Sequence, residues 1–532
     1  MTDDHVVADQ SAVFAFLADP ASHGGAAPVT RIDTHGAAVF LVGPDAYKVK
    51  RAVAFPFMDF STLDKRREAC TGEIAINRPN APDLYLSALP VTEQDGRLTL
   101  GGAGTPVEWV VHMRRFDEGQ TLDRVAARDG LGREVLSALA RAIVEAHGRA
   151  PLCPPGFDAV AALADVAADN AASFRAAPEL FESTQAQALE AGTAAALAAC
   201  IDLMRERTAG GDVRRCHGDL HLRNIALIEG RPVLFDAIEF NPELATCDVL
   251  YDLAFLIMDL WQRGLKGEAN AVLNRYLWAQ DHERHYRALK ALPLFLSLRA
   301  AIRAKVGMAA LARLDGEART RAAREVQGYF VAALGFLAPT PPVLLAVGGL
   351  SGTGKSRLAA RAAPALGRAP GAVVLRSDVE RKSLNGVAET ERLPAAGYAP
   401  EQTAQVYDRV RQRIDVALKA GQAAVADAVH ARPEERSAIR AVAETNGVPF
   451  LGLWLTAPLD LLRTRVARRK NDASDATPEV VTRQADYDLG PMDWIEVDVS
   501  EGADAALREV ERHLRAADSA LEAHRRPQAS SV

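Results

Sequence analysis

The segment Gly349-Leu-Ser-Gly352-Thr353-Gly354-Lys355-Ser356 sets glycines, a lysine and a hydroxyl at the spacing G-x-x-x-x-G-K-[ST]. Glycines let successive backbone N–H groups point into one concavity that holds an anion. A helix starting just after the loop adds the positive end of its dipole. In that arrangement Lys355 reaches the β- and γ-phosphates of a nucleotide, and Ser356 holds Mg2+. The flanks fit, because residues 343–347 carry an apolar strand signal and an Ala-rich helical run follows. ATP or GTP binding is the expectation.

A second set lies upstream. His217-Gly-Asp219-Leu-His-Leu-Arg-Asn224 precedes the strand-like Val233-Leu-Phe-Asp236. Asp219 and Asn224 have the spacing of a kinase catalytic loop. There an Asp accepts the proton of the acceptor hydroxyl, an Asn five residues on reaches a metal, and a carboxylate after the next strand holds Mg2+ between the phosphates. Asp236 is placed to be that carboxylate. A capped helix start with incidental Asp and Asn would leave the same letters. Three further features favour the catalytic reading: Lys48 on a short strand, Glu73 in the following helix where it can pair with the lysine, and the spacing of Asp248 and Asp252. Lys50 shares the strand face of Lys48 and is the alternative phosphate lysine.

Chemistry beyond the phosphate loop separates kinases from motors and GTPases. Ser377-Asp378-Val-Glu-Arg381 follows the second C-terminal strand, at the sheet edge where α/β folds place ligands. Asp378 there can take a hydroxyl proton, with a helix cap as the competing role. Asp427 ends the third strand and suits the Mg2+ shell. Arg465, Arg468 and Arg469 follow the fourth strand, ahead of an expected flexible stretch at 471–477. They resemble the lid arginines of nucleoside-monophosphate-kinase-type enzymes, with Arg465 near the nucleotide and Arg468 on the transferring phosphate.

These residues need elements to hold them. A chain of 532 residues calls for two or three domains. The clearest seam is the proline-rich link 337–342. After it, strand signals at 343–347, 372–375, 423–426, 450–455 and 494–497 alternate with helical sequence, which predicts a parallel sheet wrapped by helices. Before it, strands at 29–34, 37–42 and 46–50 form a meander, and a helix at 61–76 starts from a Ser61 cap. Residues from about 121 to 337 are mostly helical, with one strand-like island at 231–240. A net charge of −7 argues against a nucleic-acid or membrane-surface binder. No apolar run has the length of a membrane span, residues 1–4 lack the regions of a secretory signal, and five scattered cysteines read as reduced thiols. A cytoplasmic protein is expected.

Two resemblances sharpen this. HGDLHLRN and FDAIEF mark residues from about 28 to 335 as similar to the aminoglycoside phosphotransferase and choline kinase-like superfamily. The resemblance implies a small β-rich lobe (about 28–115) and a helical lobe (116–336) with ATP between them. It also implies Asp219 as base, Asn224 and Asp236 as Mg2+ ligands, and Lys48, paired with Glu73, on the α/β-phosphates. No G-x-G-x-x-G loop precedes Lys48; Asp33-Thr-His-Gly36 is the candidate phosphate cover. Residues 343–517 resemble the small P-loop kinases that include zeta toxins, gluconate kinases and the kinase part of phage polynucleotide kinases; 518–532 read as a flexible tail. The expected fold is an α+β protein-kinase-like bilobal domain followed by an α/β P-loop domain with a parallel sheet. The expected function is a bifunctional ATP- and Mg2+-dependent phosphotransferase acting on small-molecule hydroxyls. The alternatives are an active P-loop kinase beside an inactive nucleotide-binding module, a nucleic-acid end-processing kinase, and an ATP-driven regulator.

Overall fold

The computed structural model describes residues 5–25, 27–34, 36–55, 58–469 and 472–513. Contacts divide the chain into two compact units, Met1–Asp259 with Leu298–Val331, and Leu260–Ser297 with Ala332–Val532. The second unit thus draws residues from both sides of the proline seam. The expected tail at 518–532 lies outside the described residues, as do His35 of the candidate phosphate cover and Asn471 of the expected flexible stretch.

In the first unit, alternating apolar residues build a six-stranded antiparallel sheet. Its strands are β1 (Val29–Asp33), β2 (Ala37–Val42), β3 (Asp45–Lys50), β4 (Tyr85–Gln94), β5 (Arg97–Leu100) and β6 (Thr105–Arg114), in the order β1-β2-β3-β6-β4-β5. One face buries Phe40, Val49, Val91 and Val110. The other buries Leu41, Leu84 and Val111 against Cys70 and Ile74 of α1 (Leu63–Asn77). Ser61 is not the cap of that helix. Thr62 Oγ1 accepts from the Lys65 N–H at 3.3 Å, while the Ser61 N–H is drawn to Asp59 Oδ1 at 2.9 Å. The helical part includes α2 (Arg133–Arg149), α3 (Ala159–Arg175) and α4 (Val249–Gln262), and the hairpin β7 (Ile225–Ile228) and β8 (Arg231–Leu234). The island expected at 231–240 stops at Leu234, and Asp236 just beyond it turns with φ +61°.

The second unit opens with α5 (Lys266–Gln280) and α6 (Glu283–Arg287). Its P-loop part runs β9 (Leu344–Gly349), α7 (Lys355–Ala362), β10 (Val373–Arg376), α8 (Ser377–Leu384), α9 (Pro400–Lys419), β11 (Ala424–Asp427), β12 (Phe450–Thr456), α10 (Leu459–Ala467) and β13 (Ile495–Asp498). All strand pairs are parallel, in the order β10-β11-β9-β12-β13. The strands are apolar almost throughout because helices cover both faces; Leu345, Val347, Val425 and Leu453 are fully buried. The sheet brings the ends of β9, β10 and β11 side by side, with Arg376 opposite Asp427 in the β10–β11 register. Among the described residues, no helix is long and apolar enough to cross a membrane.

Candidate active sites

Lys48 and Lys50, two apart on β3, send their side chains to one face. Lys48 Nζ lies 2.8 Å from Glu73 Oε1 and 2.6 Å from Asp236 Oδ1. Lys50 Nζ lies 2.5 Å from Glu73 Oε2 and also pairs with Glu239. The Glu73 side chain is fully buried, so its charge depends on these two cations. Burial opposes charge on Lys48, yet Asp236 and Glu73 outweigh it and hold the ammonium well above its ordinary pKa. Burial is outweighed at Asp236 too, where Lys48 holds the carboxyl below its usual range. The Lys48 side chain is 16% exposed and that of Lys50 3%, so Lys48 is the more open of the two. Asp236 is held in its left-handed turn by Tyr85, whose hydroxyl accepts its N–H at 3.0 Å.

The catalytic-type loop meets this cluster. Asn224 Nδ2 donates to Asp219 Oδ2 and to the Asp219 carbonyl, each at 3.0 Å. His217 Nε2 lies 2.9 Å from the Phe235 carbonyl, and burial lowers its pKa, so the ring is neutral and serves to orient the loop. Asp252 on α4 underpins the turn by accepting the N–H groups of His217 (3.3 Å) and Gly218 (2.8 Å). Asp259, further along α4, accepts from the Leu222 N–H at 3.1 Å. Asp248 is engaged elsewhere, with Arg207 at 2.5 Å. Burial disfavours charge on Asp219, but the hydrogen bond with His221 helps to keep its carboxyl below the usual range. Lys48, Asp219 and Asp236 open into one cavity of about 1170 Å³, whose lining also includes Asp158, Asp165, Tyr251 and Phe255.

The second set gathers at the sheet edge of the other unit. Gly349 (φ +131°) and Gly352 (φ +91°) adopt backbone that side chains resist, and they are crowded besides. A Cβ on Gly349 would stand 2.6 Å from the Leu455 carbonyl oxygen, and one on Gly352 2.7 Å from that of Leu462. Gly354 (φ +90°) precedes α7, and Thr353 Oγ1 donates to the Leu350 carbonyl at 2.8 Å. Gln484 pins the loop from outside by accepting the Ser351 N–H at 2.8 Å. Lys355 Nζ folds back on the carbonyls of Gly349 (2.7 Å) and Leu350 (3.0 Å). Burial pushes its pKa down to about 8, against the attraction of Asp427 and Asp378.

Asp427 is buried; burial raises its pKa, and Arg376 and Lys355 oppose that shift, as does a hydrogen bond with Ser356. Arg376 Nε lies 3.3 Å from Asp427 Oδ2, an oxygen that accepts no hydrogen bond among the described residues. Asp378 sits in the first turn of α8, half-buried, and is not the residue that caps it; among the described residues it takes part in no hydrogen bond or ion pair. Arg381 is committed to the Gly397 carbonyl (2.9 Å) and Thr403 (3.2 Å). Arg465 donates to the carbonyls of Val499 and Ser500, each at 3.0 Å, and Arg468 is exposed at the end of α10. Of the three arginines, Arg469 lines a cavity of about 380 Å³ with Asp472, Ser474 and Thr477.

With this geometry in view, residues 86–292 match the model of the phosphotransferase enzyme family, and residues 344–488 match that of an AAA domain. Two different domain models thus match separate stretches of this chain. An uncharacterized protein of Mycobacterium tuberculosis is 29% identical over 469 residues, which cover 86% of this chain and 90% of that one. Similar solved structures include a choline/ethanolamine kinase family protein from Mesorhizobium loti, with 15% identity, 60% of this chain and 97% of that chain covered, and a TM-score of 0.36. They also include a gluconokinase from Sinorhizobium meliloti, with 18% identity, 35% and 98% covered, and a TM-score of 0.26. The domain content is that of a phosphotransferase with kinase-type ATP and nucleotide binding.

The phosphotransferase match begins after Lys48 and Glu73, which join the cluster through β3 and α1. Sequence reading passed over Arg376, because an arginine ending a strand looks like ordinary surface. Nothing in the sequence distinguishes Glu239 from a surface carboxylate, yet its side chain is 5% exposed and paired with Lys50. The acidic wall of the larger cavity was also missed, since Asp158 and Asp165 stand at plain helical spacing in an Ala-rich run.

Proposed function

We propose that the chain transfers the γ-phosphoryl group of ATP to hydroxyl groups of small molecules at two separate Mg2+-dependent sites. The reading is carried by the convergence of Lys48, Asp219 and Asp236 at one cavity, from stretches far apart in sequence, with Glu73 holding Lys48 and Asn224 holding Asp219 from behind. A pure binding module has no need of a carboxylate such as Asp378, unpaired among the described residues, beside its phosphate loop.

In the first site Lys48 holds the α/β-phosphates and Glu73 holds Lys48. The acceptor oxygen attacks the γ-phosphorus, the bond to the β-phosphate oxygen breaks, and the hydroxyl proton passes to Asp219. In the second site the phosphate-loop N–H groups and Lys355 cradle the phosphates while Asp378 takes the proton. Arg469 and Arg468 are the lid groups that meet the charge of transfer, and Arg465 braces the lid helix.

The donors present fit a hard cation: Asn224 and Asp236 in the first site, Ser356 and Asp427 in the second, where a buried carboxylate oxygen accepts no hydrogen bond among the described residues. Bound there, Mg2+ supplies charge neutralisation between the phosphates. In both sites catalysis is positioning and electrostatics rather than covalent chemistry. The carboxylates Asp158 and Asp165 in the larger cavity favour a neutral or cationic acceptor over an anionic one. The reading includes a cytoplasmic location, which the free state of all five cysteines supports.

The test is incubation with Mg·ATP and a metabolite mixture, followed by a search for products heavier by one phosphoryl group. Asp219→Asn and Asp378→Asn should each remove a different product. Products that survive both substitutions, or none with the unaltered protein, would sink the proposal.

A further inference from the structure

Strand β10 is the outer strand of its sheet, yet its free edge is not bare. Asn270, Asn274 and Trp278 stand four residues apart along α5 and face it. Asn270 Nδ2 donates to the carbonyls of Pro370 (3.1 Å) and Ala372 (2.9 Å). Asn274 Oδ1 accepts the Val374 N–H at 2.6 Å, and its Nδ2 donates to the Ala372 carbonyl at 3.2 Å. Trp278 Nε1 donates to the Val374 carbonyl at 2.9 Å. Four residues of helix rise about 6 Å and two residues of strand about 6.6 Å, so the ladder stays in step.

Beyond this ladder α5 ends at Asp281, in left-handed backbone with φ +48°. Its carboxylate accepts from Ser383 Oγ, from Arg409, and from Arg413 at 2.6 Å. Arg413 also reaches both carboxylate oxygens of the buried Glu380, at 2.8 and 2.7 Å, and Arg409 Nε lies 2.8 Å from it. Two carboxylates and two guanidiniums close on each other, with Arg413 over the ring of Tyr286 on α6.

Helix α8 is consequently tied at successive residues. Glu380 is held by Arg409 and Arg413, Arg381 by Gly397 and Thr403, Lys382 by Asp475 at 2.6 Å, and Ser383 by Asp281. Asp378 is the one charged residue of the helix left without a polar partner among the described residues. The rotation of α8 about its axis, which sets where Asp378 points, is fixed by these ties.

We propose that Asp281, acting through Arg413 and Glu380, is a positioning residue that aims Asp378 at the phosphate loop. A segment that the phosphotransferase family model claims, up to residue 292, thereby supplies a working part of the P-loop site. The inference rests on the reading of Asp378 as the base of that site. A shift of about 1 Å in a reacting group is enough to cost on the order of 10²-fold in rate.

The test uses the full chain carrying Asp219→Asn, so that only the second site turns over, with Mg·ATP as the probe and ADP release to water as the readout. Asp281→Asn should lower kcat by about tenfold or more while KM for Mg·ATP stays within about twofold. Glu380→Gln should give the same split, and the double variant should be little worse than either single one. Asp281→Glu should recover part of the rate. Ser383→Ala, which removes one donor and no charge, should lower kcat in the same sense by less, and it keeps the test open if Asp281→Asn fails to fold. A fall in melting temperature with kcat unchanged would make Asp281 merely structural and overturn the proposal. So would a parallel rise in KM, which would mean that the segment holds nucleotide instead. If Lys355→Ala and Asp378→Asn leave ADP release unchanged in the same background, it is the kinase reading of this site that fails, and the inference falls with it.

Discussion

Lys48 and Asp236, separated by 188 positions in sequence, meet at 2.6 Å, with Glu73 on the other side of the same ammonium. Lys50, two residues on, is spent on Glu73 and Glu239 and is nearly closed to solvent. The two lysines should therefore fail differently. Lys48→Ala leaves Glu73 its second cation, so stability should change little while nucleotide affinity at the first site drops at least about tenfold. Lys50→Ala leaves Glu73 its Lys48 but strands the buried Glu239, and should cost about 3–5 kcal/mol of stability. Denaturant melts beside titrations with a non-hydrolysable ATP analogue check both. A stable Lys50→Ala that has lost nucleotide would reverse the assignment.

Lys355 gives the second site a pH signature. Its pKa of about 8 lies below its ordinary 10.5 because it is buried. Between those values the unfolded chain binds a proton here that the folded chain does not, so this group's contribution to stability rises with pH through that window. Phosphates of a bound nucleotide favour the charged lysine. Binding at about pH 9 should therefore take up most of a proton, and binding at about pH 6.5 almost none. Calorimetry in buffers of different ionisation enthalpy measures this uptake. It should vanish in Lys355→Ala.

Asp378 and Asp427 should separate base from metal ligand. Asp378 accepts no hydrogen bond among the described residues, so Asp378→Asn should leave the melting temperature almost unchanged. Its phosphoryl transfer should fall by about 10²–10⁴-fold, the usual worth of general-base catalysis. Asp427→Asn should lose activity that extra Mg2+ partly restores. Because Arg376 then faces a neutral amide at 3.3 Å, this variant should also melt earlier. An Asp378→Asn protein that melts early and turns over normally would contradict the base assignment.

Much of this was legible because backbone chemistry leaves a spacing in the letters. The phosphate loop needs glycines where φ is positive, and Gly349, Gly352 and Gly354 have it. All five P-loop strands begin within one residue of where apolar runs placed them, since a parallel strand covered on both faces reads as a continuous run. What the sequence hid was pairing. Nothing in the letters says that Asn270, Asn274 and Trp278 serve a strand edge a hundred residues away, because four-residue spacing on a helix looks the same whatever it covers. The proline seam marked a change of sequence character, while contacts draw Leu260–Ser297 to the far side of it. Thr62 displaced Ser61 as helix cap for an equally local reason, the pull of Asp59 on the Ser61 N–H.

If one chain carries two independent phosphoryl-transfer sites, a non-hydrolysable Mg·ATP analogue must bind it twice. Calorimetric titration of the full chain should saturate at two nucleotides per chain. Lys355→Ala should leave one, Lys48→Ala should leave the other, and the double variant should leave none within the working range. A single nucleotide per chain, abolished by Lys355→Ala and untouched by Lys48→Ala, would mean that the upstream cluster handles no nucleotide at all and that the chain has one transfer site, not two.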